Sequence, residues 1–135
     1  EEAPHPFYTR GFILHEENRV PHLIARAYRH GNAARYLLVK GRQDCLADER
    51  GILETVDSPV EEALEAMGGT GDTLTGLVSL LIDAGMDIRS AAVAAMRANR
   101  LAGALAHPTP ATQIGEVIGH LPAALREVLS RQEGL

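Results

Sequence analysis

The chain turns at Gly68-Gly69-Thr70-Gly71-Asp72-Thr73-Leu74-Thr75-Gly76, where a stretch without bulky side chains leads into the most apolar predicted helix, residues 72–84. Glycines here let the backbone bend sharply, reach positive φ and approach a ligand closely. The first amides of the helix lack intrahelical acceptors and lie at the positive end of the helix dipole. The stretch therefore predicts a site for a phosphate or another oxyanion, with the Asp72 carboxylate at its mouth.

Helix capping is an alternative interpretation of this turn, because Thr70 or Asp72 can accept an orphan amide within an ordinary loop. A dinucleotide fingerprint is excluded: counted from Gly69, the third glycine of G-x-G-x-x-G falls on Leu74, and no convincing strand leads into the turn. A Walker A loop is excluded as well, since the chain contains no Gly-Lys-Ser or Gly-Lys-Thr. Anion binding and capping both remain open at this point.

The composition predicts one soluble domain over residues 1–135, in which residues 1–10 form an irregular arm. Hydrophobic residues make up 45% and charged residues 23% of the chain, as in ordinary globular proteins. The net charge of −5 opposes binding to nucleic acid or to an anionic membrane surface. No apolar run approaches the ~20 residues that span a bilayer. We therefore expect no nucleic-acid partner and no membrane partner.

Cysteine and histidine give no indication of a metal site. The single cysteine, Cys45, excludes an internal disulfide and a cysteine-based metal site, and it predicts a small buried side chain in a reducing cytoplasm. His22 and His30 lie eight residues apart, which is too far for chelation from one helix, and no H-E-x-x-H spacing occurs. The expectation is a cytoplasmic protein without metal-ligating residues.

The fold class predicted before the glycine turn is α/β. Apolar runs at 11–15 and 36–39 flank a helix over 21–30, a pattern typical of a right-handed parallel crossover. Short strands at 45–47 and 52–56 predict a hairpin. The expected sheet is small and open, a parallel pair plus a hairpin, and is covered by helices.

Helices dominate the rest of the predicted structure. Ser58-Pro59-Val60-Glu61 has the form of a capping box and predicts a short helix over 59–66. The helix over 72–84 is apolar almost all round, as expected of a central buried helix. An alanine-rich helix is predicted over 88–106, then a short one over 112–118 and a last one beginning at Pro122.

Lys40 is the only lysine of the chain; twelve arginines supply its other positive charges. It follows the strongest predicted strand, at the edge where open α/β sheets place ligands, so its ammonium can meet a phosphate. A solvated charge at a strand end is the alternative. Asn99 and Arg100 lie within the alanine-rich helix, where solvation, a bond to a neighbouring loop and a nucleoside contact all remain open.

A strand ending in Lys40-Gly41, a hairpin, the G-G-T-G-D-T-L-T-G turn and a run of helices together resemble the carboxyl-terminal part of the ribokinase-like superfamily. Within it the sequence is most similar to the ADP- or ATP-dependent NAD(P)H-hydrate dehydratases, whose signature resembles G-G-T-G-D-x-L-x-G. The resemblance is specific over residues 68–76 and looser elsewhere. It implies a shortened ribokinase-like fold of three layers.

The resemblance also implies roles for individual residues. Asp72 corresponds to the catalytic aspartate that takes a proton from the accepting hydroxyl, and Lys40 corresponds to a lysine that faces phosphate. The implied ligands are ATP or ADP, Mg²⁺ and a small hydroxyl-bearing substrate. The implied nucleotide and phosphate site consists of Lys40, Gly68, Gly69, Thr70 and Gly71.

Two departures from this family shape the functional hypothesis. Members of the family are much longer and carry, before this region, the strands that build the substrate pocket; residues 61–67 also read as an acidic helix instead of the family's loop. One hypothesis is a kinase or hydrate dehydratase whose missing half comes from a second copy or another polypeptide. The other is a noncatalytic nucleotide- or anion-binding module that assembles into an oligomer through its truncated sheet edge and the alanine-rich helix.

Overall fold

The computed structural model describes residues 20–31, 33–64 and 67–133. One helix precedes three strands, and the other helices follow them. The described elements are α1 (Val20–Arg29), β1 (Leu37–Val39), β2 (Asp44–Asp48), β3 (Gly51–Val56), one 3₁₀ turn (Glu62–Leu64), α2 (Thr70–Asp83), α3 (Ile88–Leu105) and α4 (Ile114–Glu133). The α/β class is thereby confirmed. None of the described helices is long and apolar enough to cross a membrane.

The sheet has the order β1-β2-β3, and both pairings are antiparallel. The predicted hairpin is confirmed, and Gly51 ends its turn with φ of 124°, which suits glycine. The predicted parallel pair is not part of the described sheet: β1 pairs with β2 across a tight turn in which the N–H of Gly41 donates to Asp44 Oδ1 over 3.1 Å. The other strand of that pair, residues 11–15, and the predicted arm, residues 1–10, lie outside the described residues.

α3 forms the centre of the described structure and packs against α2, α4, β2 and β3. Small side chains make this possible, because alanine lets neighbouring backbones approach closely. Six alanines of α3 are at most 1% exposed: Ala91, Ala92, Ala94, Ala95, Ala98 and Ala102. Leu74 and Met96 are buried beside them, and each such side chain contributes about 1.5–3 kcal/mol.

α2 is amphipathic, so the prediction of a central, all-round buried helix is wrong. Leu74, Leu77 and Leu81 face the core, whereas Leu80 is 55% and Ile82 is 42% exposed. The alanine-rich helix takes the central place because its small side chains can pack on several sides at once. Cys45 is buried as predicted, and burial raises the pKa of its thiol.

No α-helix forms over residues 59–64, which contradicts the predicted helix over 59–66. In a helix the Pro59 carbonyl would accept the N–H of Ala63. Instead Arg100 Nη1 donates to that carbonyl over 3.3 Å, and the N–H of Ala63 donates to Glu61 Oε1 over 3.5 Å. Competing hydrogen bonds thus leave only the 3₁₀ turn.

The two helices predicted over 112–118 and from Pro122 are one continuous helix, α4. Proline removes one donor from a helix and crowds the carbonyl four residues earlier, here that of Ile118. Both Pro122 and Ile118 are exposed, so water can bond the released carbonyl. The buried side chains of Val117 and Ala124 on the opposite face keep the helix docked across the proline.

Candidate anion-binding site

Gly69 is the N-cap of α2 and has φ of 98° and ψ of −12°. This left-handed conformation strains residues that carry a Cβ. A Cβ at this position would also lie 3.0 Å from Ile114 Cγ1 at the start of α4. Backbone conformation and packing therefore both favour glycine at residue 69, and α2 begins directly after it at Thr70, two residues before the predicted start.

The start of α2 has no side-chain cap. Its first backbone hydrogen bond joins the N–H of Thr73 to the Gly69 carbonyl over 3.0 Å. The N–H groups of Thr70, Gly71 and Asp72 precede this bond and have no helical acceptor. Within the described residues, neither the Thr70 nor the Asp72 side chain takes up one of them, as capping would require.

α3 provides a contrast within the same molecule. Its N-cap is Asp87, whose Oδ1 accepts the N–H of Ser90 over 3.0 Å. Hydrogen bonding from the side chain and then the backbone of Ser90 holds the pKa of Asp87 below its ordinary value. The carboxylate of Asp87 satisfies the start of α3, whereas a glycine stands at the corresponding position of α2.

Gly71, in the first turn of α2, lines an open cleft of about 370 Å³ that runs along one face of α2 beside β1. No atom lies within 4 Å of the position that a Gly71 Cβ would occupy. Lys40 is exposed at the end of β1 and lines the same cleft. The residues that line the cleft are Leu38, Lys40, Gly71, Leu74, Thr75, Val78 and Ser79.

The structure therefore brings Lys40 and Gly71 to one cleft but does not place every predicted site residue there. Asp72 is exposed in the first turn of α2 and does not line the cleft. Gly68 is exposed, whereas Thr70 is 7% exposed. A ligand at this site would meet Thr70 chiefly through its backbone.

Asn99 of α3 binds the first turn of α2 from the protein interior. Asn99 is buried, with 5% of its surface exposed. Asn99 Nδ2 donates to the Thr70 carbonyl over 3.0 Å, and Asn99 Oδ1 accepts from Thr73 Oγ1 over 2.7 Å. The opposite amide orientation would set an oxygen against the Thr70 carbonyl, so the network selects this one.

Arg100, the next residue of α3, binds the turn between β1 and β2. Its Nε donates to Asp44 Oδ2 over 2.7 Å, and its Nη2 donates to the carbonyls of Gly41 and Arg42 over 3.0 and 2.9 Å. The side chains of Arg100 and Asp44 are 11% and 1% exposed. This nearly buried ion pair joins α3 to the turn between β1 and β2, which carries Lys40.

The sequence left three interpretations open for Asn99 and Arg100, and bonding to neighbouring segments is the one confirmed. Asp44 was missed as the partner of Arg100. The usual aspartate turn offered no signal, because its carboxylate accepts the amide two residues later, whereas Asp44 accepts the Gly41 amide three residues before it. Its pairing with Arg100, which lies 56 positions away, has no local pattern.

A family model for NAD(P)H-hydrate dehydratases matches residues 14–121. The chain belongs to this family. It is 41% identical over 130 residues to the uncharacterized protein MJ1337 of Methanocaldococcus jannaschii, and the match covers 96% of this chain and 56% of that protein. The chain thus spans little more than half the length of this relative. No solved structure gives a significant match.

Members of the dehydratase family use ATP or ADP, which implies Mg²⁺ as a companion ion. Among the residues described here, no group of three or more His, Cys, Asp or Glu side chains could hold a metal ion. Asp72 is the acidic residue in the first turn of α2. These residues fit an ion that is held mainly by nucleotide phosphates and water with one carboxylate in support, as is common for Mg²⁺.

Proposed function

We propose that this chain binds ATP or ADP by its phosphates at the amino end of α2 and acts in phosphoryl transfer of the sugar kinase or NAD(P)H-hydrate dehydratase type. The observation that supports this most is the shared cleft of Lys40 and Gly71 beside an uncapped helix start. Free backbone amides and a lysine ammonium are complementary to a phosphate. The family match points to the same ligand class.

In the proposed reaction the 69–71 turn is the anion hole, and the free amides of Thr70 and Gly71 stabilise negative charge on the phosphoryl group during its transfer. The exposed Asp72 carboxylate takes the proton of the substrate hydroxyl, whose oxygen bonds to the terminal phosphorus as the bond to the bridging oxygen breaks. A nucleoside diphosphate leaves when ATP is the donor, or a nucleoside monophosphate when ADP is. In a hydrate dehydratase the phosphate ester is then eliminated as inorganic phosphate.

Nucleotide binding can be tested by thermal unfolding with ATP, ADP and AMP, with and without Mg²⁺. A ligand that binds only the folded chain stabilises it by about 2.7 kcal/mol at a hundred times its Kd. Gly71→Val fills the open space in front of the amides and should abolish this stabilisation. Gly119→Val is the matched control, since Gly119 is also a helical glycine with no atom within 4 Å of its Cβ position. The proposal is rejected if nucleotides stabilise both variants equally. It is also rejected if nucleotides stabilise neither the variants nor the wild-type chain.

The catalytic role of Asp72 needs a separate test. Asp72→Asn keeps the size of the side chain and removes its basicity, so we expect nucleotide stabilisation to persist while turnover of a hydroxyl substrate is lost. General base catalysis contributes about 10²–10⁴-fold in rate, and the loss should fall in that range. Unchanged turnover in Asp72→Asn would exclude the role.

A noncatalytic anion-binding module that assembles into an oligomer is the second candidate. It is supported by the exposed apolar side chain of Leu80 on α2 and by the place of β1 at the edge of the described sheet. In that case ADP stabilises the wild-type chain, and Asp72→Asn changes nothing because no turnover exists. A coupled assay for nucleotide consumption distinguishes the two candidates.

A further inference from the structure

We propose that Asn99 and Arg100 are the positioning residues of the nucleotide site. Together they set the separation between the amides of α2 and the turn between β1 and β2, which carries Lys40. This inference rests on the proposed function for its biochemical meaning. Neither residue lines the cleft. Each acts through another segment: Asn99 through the first turn of α2, and Arg100 through the turn between β1 and β2.

Their adjacency on α3 explains how one short piece of helix can serve both sides of the cleft. Successive residues of an α-helix point about 100° apart, so neighbouring side chains reach different segments. The backbone between them belongs to a helix packed on several faces, with Ala98 and Ala102 both fully buried. A close-packed interior resists deformation, so a contact to Asn99 and a contact to Arg100 are held at a fixed spacing.

The side chain of Asn99 suits the task because it donates and accepts at once. The Thr73 hydroxyl lies 2.9 Å from the Thr70 carbonyl and 2.7 Å from Asn99 Oδ1, and it has one proton to donate. Both acceptors lie within hydrogen-bond distance of that hydroxyl, and Asn99 Oδ1 is the nearer one, while Asn99 Nδ2 donates to the Thr70 carbonyl. The first turn of α2 is thus held by a carbonyl and a hydroxyl, and its free N–H groups remain available to a ligand.

Arg100 and Asp44 hold the turn between β1 and β2 through its backbone, and they do not use the side chain of Lys40. Arg100 donates to two carbonyls of the turn, and Asp44 accepts the Gly41 amide with Oδ1 and Arg100 Nε with Oδ2. An arginine fork can bind several acceptors in fixed directions, which a lysine cannot do. The ammonium of Lys40 is therefore presented by a turn whose own polar groups are satisfied.

Amide solvent exchange, measured by NMR on the ¹⁵N-labelled chain without ligand, tests whether Asn99 and Arg100 each hold their own segment. Asn99→Ala should raise amide exchange at Thr73 about tenfold, the effect of losing a hydrogen bond of about 1.4 kcal/mol, and leave Gly41 unchanged. Arg100→Ala should raise exchange at Gly41 by a similar factor and leave Thr73 unchanged. Arg97→Ala, an exposed residue on the same helix, should change neither. Faster exchange at both amides in each variant would indicate a general loss of stability and overturn the inference.

Milder substitutions keep the test decisive if the alanine variants do not fold. Thr73→Val removes the hydroxyl and keeps the bond between Asn99 and the Thr70 carbonyl, and it should accelerate exchange only in the first turn of α2. Asp44→Asn is isosteric and should accelerate exchange only at Gly41. The inference fails if either variant affects the opposite side of the cleft as strongly as its own.

Titration with Mg²⁺ and ADP separates this inference from the proposed function. Chemical-shift changes at Gly71 and Asp72 in the wild-type protein support nucleotide binding, and the absence of such changes rejects the proposed function. In that case amide exchange in the free chain still decides whether Asn99 and Arg100 position the two segments. Where wild type binds, Asn99→Ala and Arg100→Ala should each weaken ADP about tenfold, and Arg97→Ala should not. Unaltered affinity in both variants would overturn the positioning role even if exchange changed.

Discussion

Gly69 is the residue on which the site depends most directly, because its backbone conformation and its packing both exclude a side chain. Gly85, after α2, has nearly the same φ, 99° against 98°, but no atom lies within 4 Å of its Cβ position. Comparison of alanine at the two positions therefore separates backbone strain from the contact with Ile114. We expect Gly69→Ala to lower the free energy of unfolding by about 2–3 kcal/mol and Gly85→Ala by about 1 kcal/mol. Urea unfolding measures both values, and equal losses would show that Ile114 moves aside at little cost.

Asp87 is one residue that links the stability of the fold to pH. Hydrogen bonds from Ser90 hold its folded-state pKa below the ordinary value, so its contribution to stability is present above the unfolded-state pKa and is lost as the pH falls through the folded one. Stability should thus decline below about pH 4. Asp87→Ala should remove part of that decline and lower the melting temperature at neutral pH, whereas Asp83→Ala, at an exposed position at the end of α2, should leave the decline intact. Parallel curves for Asp87→Ala and wild type would contradict the capping role.

At the scale of elements, local pattern determined what the sequence could predict. The hairpin of β2 and β3 and the extent of α3 both arise from neighbours in the chain. Competition between distant groups decided the remainder: Arg100 takes the Pro59 carbonyl from a predicted helix. The shared cleft of Lys40 and Gly71 followed from recognising strand end and helix start, but the network that fixes their spacing joins residues dozens of positions apart.

α4 offers the clearest element-level prediction, because it continues through Pro122 where two helices were expected. Pro122→Ala restores the donor to the Ile118 carbonyl and removes the clash of the ring, gains that exceed the lost rigidity of the unfolded chain. We expect the free energy of unfolding to rise by about 1–2 kcal/mol. Pro110→Ala, in the turn before α4, should instead lower it by about 0.4–1 kcal/mol. Circular dichroism during chemical unfolding measures both, and destabilisation by Pro122→Ala would mean that α4 requires the kink.

At the scale of the whole molecule, the exposed side of α2 bears on whether the chain associates with a second copy. Leu80 is 55% exposed beside the cleft-lining Ser79, and β1 pairs only with β2 among the described strands. We propose that a second copy covers this side, because an exposed apolar side chain favours association. Light scattering should then give a mass that is a multiple of 14.5 kDa. Leu80→Lys should reduce it to that of one chain, whereas Asp83→Lys, which places the same charge near the end of the helix, should not. A monomeric wild-type chain that still binds ADP would show that the nucleotide site needs no second copy.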